Sequence, residues 1–132
     1  MIKAKGWLIM FMISLSFFGL ASCASNGGAS TYEQISAEEA KAIMDSEKEY
    51  IVIDARTTTE FAEGHIEGAI LIPEFEIAER AEKELPDKNA LILVYCRSGR
   101  RSKIASSELA KLGYTNVKEF GGIIDWPYET VK

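Results

Sequence analysis

Beyond residue 35, apolar residues recur at two spacings, one typical of amphipathic helices and the other of buried strands. A capping box formed by Ser36 and Glu39 precedes the first helical repeat, which predicts a helix over residues 36–46. The β-branched run 50–54 then predicts a short strand that ends in polar groups. This part of the chain therefore begins as a helix followed by a buried strand.

The same alternation continues towards the C-terminus. The predicted strands are residues 50–54, 69–72, 90–95 and 116–120, and the predicted helices are residues 36–46, 58–63, 75–85 and 101–112, with a last helical turn around residues 123–126. The run 90–95 is apolar throughout, as expected of a central strand that is covered on both faces. Helices between strands imply right-handed crossovers, so we predict an α/β fold with an open parallel sheet and helices on both faces. The last full helix is expected to bury Ile104, Ala105, Leu109 and Leu112.

The first 22 residues have a different pattern. Lys3 and Lys5 are followed by 14 almost uninterrupted apolar residues, 7–20. As a helix this segment would be about 21 Å long, short for a hydrocarbon core of roughly 30 Å, and its arrangement is typical of a secretory signal. The alternatives are an uncleaved membrane anchor and an ordinary signal cleaved near Ala24.

The residues around Cys23 favour a third kind of signal. The sequence Leu20-Ala21-Ser22-Cys23 resembles the lipobox of bacterial lipoproteins. That resemblance implies a signal peptide over residues 1–22, lipidation of Cys23 and a stable membrane anchor. Ala24 stands where an Asp would resemble an inner-membrane retention signal, so the expected location is the cell envelope, at the outer membrane facing the periplasm.

Composition limits what the rest of the chain does. Residues 24–31 are small and polar, so segment 23–31 is predicted to be the lipidated Cys and a flexible tether, which leaves residues 32–132 as one domain. The net charge of −5 argues against non-specific nucleic-acid binding, which needs a basic surface. Two cysteines exclude a disulfide scaffold, and with one histidine they are too few for a structural zinc site unless carboxylates contribute.

Polar side chains follow two of the predicted strands. In open parallel sheets the binding site lies beyond the carboxyl ends of the strands, which here points to Asp54 and Arg56 after one strand and Cys96 after another. Cys96 opens a strand-to-helix turn that contains glycine, serine and three arginines. Converging N–H groups, a helix N-terminus and arginine charge should lower the pKa of the Cys96 thiol.

The chain resembles single-domain members of the rhodanese superfamily. The segments that carry the resemblance are Val52–Arg56, Glu60–Phe61, Gly64–Ala69 with Pro73, Tyr95–Ser102, Gly113–Tyr114 and Gly121–Ile123 with Trp126. They keep the family order and span residues 32–128. The resemblance implies a five-stranded parallel sheet and transfer of sulfane sulfur through a cysteine persulfide, with no metal or organic cofactor. It also implies a small sulfur-donor anion and a thiol, including a protein thiol, or cyanide as acceptor.

The resemblance assigns roles to individual residues. Cys96 is the nucleophile and persulfide carrier, and the substrate-binding loop is Arg97, Ser98, Gly99, Arg100 and Arg101. Arg101 is the expected contact for an anionic donor, and Ser102 is expected to cap the next helix. Asp54 resembles the acid that braces the active-site loop, together with Arg56. His65 lies in a turn that is structural in this family.

Three other functions compete with sulfur transfer. Cys-loop phosphatases and arsenate reductases place five residues between Cys and Arg, whereas four separate Cys96 from Arg101, which leaves the loop one residue short for phosphate. A second alternative is a non-catalytic binding module of the same fold. A third is a periplasmic thiol relay, in which Cys96 passes sulfur or oxidising equivalents to a protein partner.

Overall fold

The computed structural model describes residues 31–132, which form a five-stranded parallel sheet with helices on both faces. The strands are β1 (Glu33–Gln34), β2 (Ile51–Asp54), β3 (Ile70–Leu71), β4 (Ile92–Cys96) and β5 (Val117–Gly122). The helices are α1 (Ala37–Ser46), α2 (Thr58–Glu63), α3 (Ile77–Glu84) and α4 (Arg100–Lys111), with 3₁₀ turns at Glu74–Glu76 and Ile123–Asp125. The spatial strand order is β1-β5-β4-β2-β3, so the α/β fold and the central position of β4 are confirmed.

The two faces of the sheet bury different clusters. Ile53 and Val94 pack with α3 and α4 on one face, whereas Val52, Leu93 and Tyr95 pack with α1 and Trp126 on the other. Successive residues of a strand point to opposite faces, so a run such as residues 92–96 must be apolar throughout when both faces are covered. All five residues of β4 are buried.

Local signals place most helix ends correctly. Ser36 caps α1 through the capping box with Glu39, as predicted, and Gly64 is the C-cap of α2, also as predicted. The predicted helix over residues 75–85 is shorter, because residues 74–76 form a 3₁₀ turn and α3 begins at Ile77. Within α4, Ile104 is exposed, so the prediction that it faces the core is wrong.

The strand bounds also differ from the predictions. β3 is shorter than the predicted run 69–72, and β4 covers Ile92–Cys96 instead of 90–95. β1 was not predicted, since its two exposed residues carry no apolar pattern and it exists through pairing with β5. β5 is longer than the predicted run, because Gly121 and Gly122 belong to the strand. The predicted signal peptide, the predicted lipidation site Cys23 and most of the predicted tether lie outside the described residues. Within residues 31–132, no helix is both long and apolar enough to cross a bilayer.

Ser106 gives a stability prediction. Its hydroxyl oxygen is buried in α4 and has no hydrogen-bond partner among the described residues. An unpaired buried hydroxyl costs free energy, and alanine is the better helix former. Ser106→Ala is expected to raise the free energy of unfolding by about 1 kcal/mol, measured by urea unfolding. A loss of stability would show that the hydroxyl has a partner.

Candidate active site

Cys96 ends the central strand and begins a short loop to α4. Its side chain is buried, with about 1% exposed. The chain turns at Gly99, whose φ of 109° lies in the left-handed region that favours glycine, and α4 starts at the next residue. The Cys96 sulfur therefore lies at the N-terminus of a twelve-residue helix, where the helix dipole is positive.

The sulfur has one backbone hydrogen-bond donor and one hydroxyl neighbour. The Gly99 N–H donates to Cys96 Sγ at 3.0 Å, and Ser102 Oγ lies 3.3 Å from the same atom. The N–H groups of residues 97, 98, 100 and 101 have no acceptor among the described residues. A loop with unused N–H groups beside one sulfur forms a concave site for an anion. The Gly99 N–H and the N-terminus of α4 favour negative charge on Cys96 or on a group attached to it.

The end of β5 packs against the backbone of this loop. The ladder between β4 and β5 is irregular after Val94, so that Cys96 comes opposite Gly122. A Cβ on Gly122 would lie 2.0 Å from the carbonyl oxygen of Arg97, so only glycine fits there. The Ile124 N–H donates to the same carbonyl at 3.2 Å. Local sequence patterns assign Gly122 no role in the site, although the glycine pair after a predicted strand was the available signal.

The three loop arginines differ in their contacts. Arg97 and Arg100 are exposed and make no ion pair within residues 31–132. Arg101 forms a bidentate ion pair with Glu60 of α2, with N–O distances of 2.6 and 2.9 Å. In this structure the Arg101 guanidinium therefore binds Glu60, which leaves Arg97 and Arg100 as the unpaired cations of the loop. Direct contact between Arg101 and a donor anion stays a prediction.

Asp54 and Arg56 form a buried network with Tyr95. The Arg56 side chain donates to both Asp54 oxygens and to the Gly64 carbonyl, while Tyr95 Oη donates to Asp54 at 2.6 Å and accepts from the Ile66 N–H. Burial, with a further contribution from Asp54, raises the pKa of Tyr95 above its usual value. The described hydrogen bonds of this network tie β2 to the loop at 64–66, and they reach the Cys96 loop only through Tyr95, its neighbour in the chain.

The remaining predicted residues are placed as follows. Ser98 is exposed at the tip of the loop. Ser102 does not cap α4, because Gly99 occupies the N-cap position and Ser102 lies inside the helix. His65 stacks on the Phe61 ring at 3.7 Å, and its Nδ1 lies 3.0 Å from the Phe61 carbonyl oxygen. Among residues 31–132, no group of three or more His, Cys, Asp and Glu side chains is arranged to hold a metal ion.

A family model described as "Rhodanese-like domain" matches residues 36–127. The chain belongs to the rhodanese-like domain family. It is 41% identical over 80 residues to thiosulfate sulfurtransferase PspE of Escherichia coli, an alignment that covers 61% of this chain and 77% of PspE. It is also similar to a solved structure described as "rhodanese with anions from E. coli", with 40% identity, a TM-score of 0.59 and coverage of 63% of this chain and 98% of that one.

Other relatives are larger. The alignment with YrkF of Bacillus subtilis, at 36% identity over 107 residues, spans 57% of that protein. These relatives share the rhodanese-like domain with this chain. They include proteins named as sulfurtransferases.

The Glu60–Arg101 pair joins the rhodanese-like loop to α2 and predicts a pH effect. Hydrogen bonds from Arg101, and then from Thr57, lower the pKa of Glu60 from 4.5 to about 2. A depressed carboxyl pKa adds stability above the unfolded-state value, and that stability is lost as the pH falls towards the folded-state value. Glu60→Gln is expected to lower the free energy of unfolding by about 1 kcal/mol at neutral pH, and the difference should disappear near pH 2.

Urea unfolding at several pH values checks this prediction. Glu63→Gln is the matched control, because Glu63 is exposed on the same helix and makes no ion pair within the described residues. An equal loss of stability for Glu60→Gln at neutral and acidic pH would contradict the ion-pair explanation, since it would not depend on ionisation of the carboxyl group.

Proposed function

We propose that this protein is a sulfurtransferase that moves sulfane sulfur from thiosulfate or a persulfide to a thiol or cyanide. The observation that carries the proposal is the environment of Cys96, whose sulfur accepts the Gly99 N–H at a helix N-terminus, in a loop whose other N–H groups have no acceptor within residues 31–132. The similarity to PspE, named as a thiosulfate sulfurtransferase, supports the same chemistry. Arg97 and Arg100 supply the positive field that an anionic donor needs.

The reaction has two displacement steps. In the first, the Cys96 thiolate attacks the outer sulfur of thiosulfate, an S–S bond forms to Cys96, and the donor's S–S bond breaks to release sulfite with the electron pair. In the second, cyanide or a thiolate attacks the outer sulfur of the Cys96 persulfide, which regenerates the thiolate and gives thiocyanate or a new persulfide. Covalent storage on the enzyme divides one difficult transfer into two easier ones.

The loop geometry favours this chemistry over phosphate transfer. Residues 97–99 connect β4 directly to α4, and Arg101 lies in the first turn of the helix, paired with Glu60. A persulfide adds one sulfur atom to Cys96, and its negative charge needs N–H donors near a single atom rather than a bidentate arginine for several oxygens. Cys96 is the only cysteine within residues 31–132, so release of the sulfur requires an acceptor from outside the domain.

Mass spectrometry after incubation with thiosulfate tests the proposal. Trypsin cleaves after Lys88 and Arg97, which releases peptide 89–97 with Cys96 as its only cysteine. This peptide should gain the mass of one sulfur atom, and the gain should disappear after cyanide is added. Protein alkylated before incubation is the control. A peptide that never gains sulfur from thiosulfate or from a persulfide would overturn the proposal.

We also propose that Cys23 anchors the protein to a membrane of the cell envelope as a lipoprotein. The support is the sequence 20–23, together with the direction in which the chain enters the domain. β1 and β4 run in the same direction in the sheet. The chain enters the domain at the N-terminal ends of the strands, whereas Cys96 lies at the C-terminal end of β4. An anchor that precedes β1 therefore leaves the C-terminal ends of the strands, where Cys96 lies, accessible.

Cell fractionation tests the anchor. The full-length protein, expressed in a bacterium, should be found in the membrane fraction, whereas Cys23→Ser should leave that fraction or retain its signal peptide. Cys96→Ser is the matched control and should fractionate like the unaltered protein. Membrane association unchanged by Cys23→Ser, with the mass of an unlipidated chain, would contradict lipidation.

A further inference from the structure

Glu119 is a buried acid behind the active-site loop, and neither the sequence motifs nor the two displacement steps assign it a role. It lies in β5 and is 3% exposed. Its Oε1 atom is near the loop itself, 3.9 Å from the position that a Cβ on Gly99 would take. An acid is seldom buried unless its oxygens have hydrogen-bond donors.

The donors to Glu119 come from the active-site region. Oε1 accepts from the Gly121 N–H at 2.7 Å and from the Ser102 hydroxyl at 2.6 Å. No ion pair joins Glu119 to a cation within residues 31–132. In the sheet its neighbours in register are Val94 and Gln34, neither of which is charged. The carboxylate therefore depends on Ser102 and on a backbone N–H.

The single hydroxyl proton of Ser102 decides how this serine faces Cys96. The distances from Ser102 Oγ are 2.6 Å to Glu119 Oε1, 3.0 Å to the Gly99 carbonyl oxygen and 3.3 Å to the Gly121 carbonyl oxygen. The shortest contact is also the one to a carboxylate, and hydrogen bonds of this length are typical of a charged acceptor. The proton therefore points to Glu119, and Ser102 presents a lone pair to Cys96 Sγ at 3.3 Å.

A lone pair that faces the sulfur accepts a hydrogen bond from the S–H group of a thiol. The same lone pair gives a thiolate no hydrogen bond and repels its negative charge. The resting arrangement is thus a chain of donors from Cys96 through Ser102 to Glu119. When the thiolate forms, Ser102 Oγ receives the Cys96 proton and donates it back to the sulfur as a hydrogen bond. Ser102 must then give up the proton that it already holds. Glu119 is the acceptor already in contact with that proton.

We propose that Glu119 is a positioning residue that takes up the proton of the Cys96 thiol through Ser102, a role that rests on the proposed sulfur transfer. The S–H bond of Cys96 breaks and its proton joins Ser102 Oγ, while the proton that Ser102 held moves to Glu119 Oε1. The products are a Cys96 thiolate, a Ser102 hydroxyl that donates to it and a neutral carboxylic acid. No electrons are exchanged and no proton leaves the site.

This transfer keeps the charge of the site unchanged when the thiolate forms. Thiosulfate carries two negative charges, so an ionised Glu119 beside an ionised Cys96 would oppose its approach. The Arg101 guanidinium on α4 is paired with Glu60, which leaves it less able to offset an added negative charge. A proton moved onto Glu119 offsets the negative charge that forms on Cys96, so the donor anion meets one negative charge at the site instead of two.

The rate of Cys96 alkylation by iodoacetamide as a function of pH tests the proposal without any sulfur donor. Glu119→Gln keeps a carbonyl oxygen that accepts from Gly121 and Ser102 but cannot take a proton. In the unaltered protein the alkylation rate should change little from about pH 8 to about pH 6, because the thiolate forms by an internal transfer. In Glu119→Gln it should fall about tenfold per pH unit, since the proton must then go to solvent.

Three further variants complete the test. Ser102→Ala removes only the bridging hydroxyl and should give the same steep profile, and the double variant should be no steeper than either single variant. Glu38→Gln, an exposed position on α1, makes the same charge change far along the chain and should leave the profile unchanged. Circular dichroism confirms that each variant is folded.

The opposite result is equally clear. If Glu119 acts only as a like charge near the sulfur, Glu119→Gln will make Cys96 react faster at every pH, which would overturn the proposal. An unchanged profile in both Glu119→Gln and Ser102→Ala would overturn it as well. Because alkylation needs no sulfur donor, a protein with the expected profile that never gains sulfur would disprove the sulfur transfer and leave the proton path intact.

Discussion

Replacing Cys96 by serine is expected to abolish both the uptake and the transfer of sulfur. The substitution changes one atom at the end of β4, where the side chain is fully enclosed and accepts the Gly99 N–H. A serine hydroxyl is a far weaker nucleophile than a thiolate near neutral pH and forms no persulfide. Thiocyanate production from thiosulfate and cyanide should fall by at least about a thousandfold, the scale observed when an enzyme loses its nucleophile.

The same variant separates the enzyme from the binding-module alternative. Serine is slightly smaller than cysteine and keeps a hydrogen-bonding atom at the same place, so the fold and its surface should persist. A binding module would keep its partner when Cys96 is replaced, whereas a sulfurtransferase would lose turnover. Residual activity above about one hundredth of the original would show that another group carries the sulfur.

Replacing Gly122 by alanine is expected to cause the second-largest loss of activity. The added Cβ would lie 2.0 Å from the carbonyl oxygen and 2.4 Å from the carbonyl carbon of Arg97, and 2.5 Å from the Cα of Ser98. All three are backbone atoms, so relief requires displacement of the loop that holds Cys96. Misplacement of reacting groups by roughly 1 Å costs about a hundredfold in rate, and we expect a loss of activity of that order.

Gly113→Ala is the control for the general cost of adding a side chain to a glycine. Gly113 has a φ of 97° and nothing within 4 Å of the added Cβ, so strain of about 1 kcal/mol is expected without any effect on the loop. Activity and urea unfolding measured on both variants distinguish the two causes. If Gly122→Ala retained full activity, the loop would tolerate the displacement and its N–H geometry would not be decisive.

The sequence predicted those parts of the fold that depend on interactions between residues close together in the chain. Capping boxes join residues three apart, and the alternation of buried faces is readable in any strand that is covered on both sides. The helix over 36–46 and the central strand depend on such local patterns. The strand β1 depends on pairing with β5, which its own two residues do not encode.

The candidate site shows the same division. Cys96, its loop and the following helix are contiguous in the chain, so their types and spacing were sufficient to predict an electropositive turn around one sulfur. The partner of Arg101 was not predictable, because Glu60 lies 41 residues earlier and its proximity depends on how α2 packs.

Glu119 and Gly122 could be interpreted only with the fold in place. Glu119 contacts Ser102 across 17 positions in the chain, and Gly122 is required to be glycine because β5 passes directly behind residues 97 and 98. Periodicity and local motifs carry information over a few residues, and they predicted most of the elements and the candidate nucleophile. Contacts between distant segments depend on register and packing, so the glycine that supports the Cys96 loop and the acid proposed to accept the Cys96 proton could be found only from the assembled sheet.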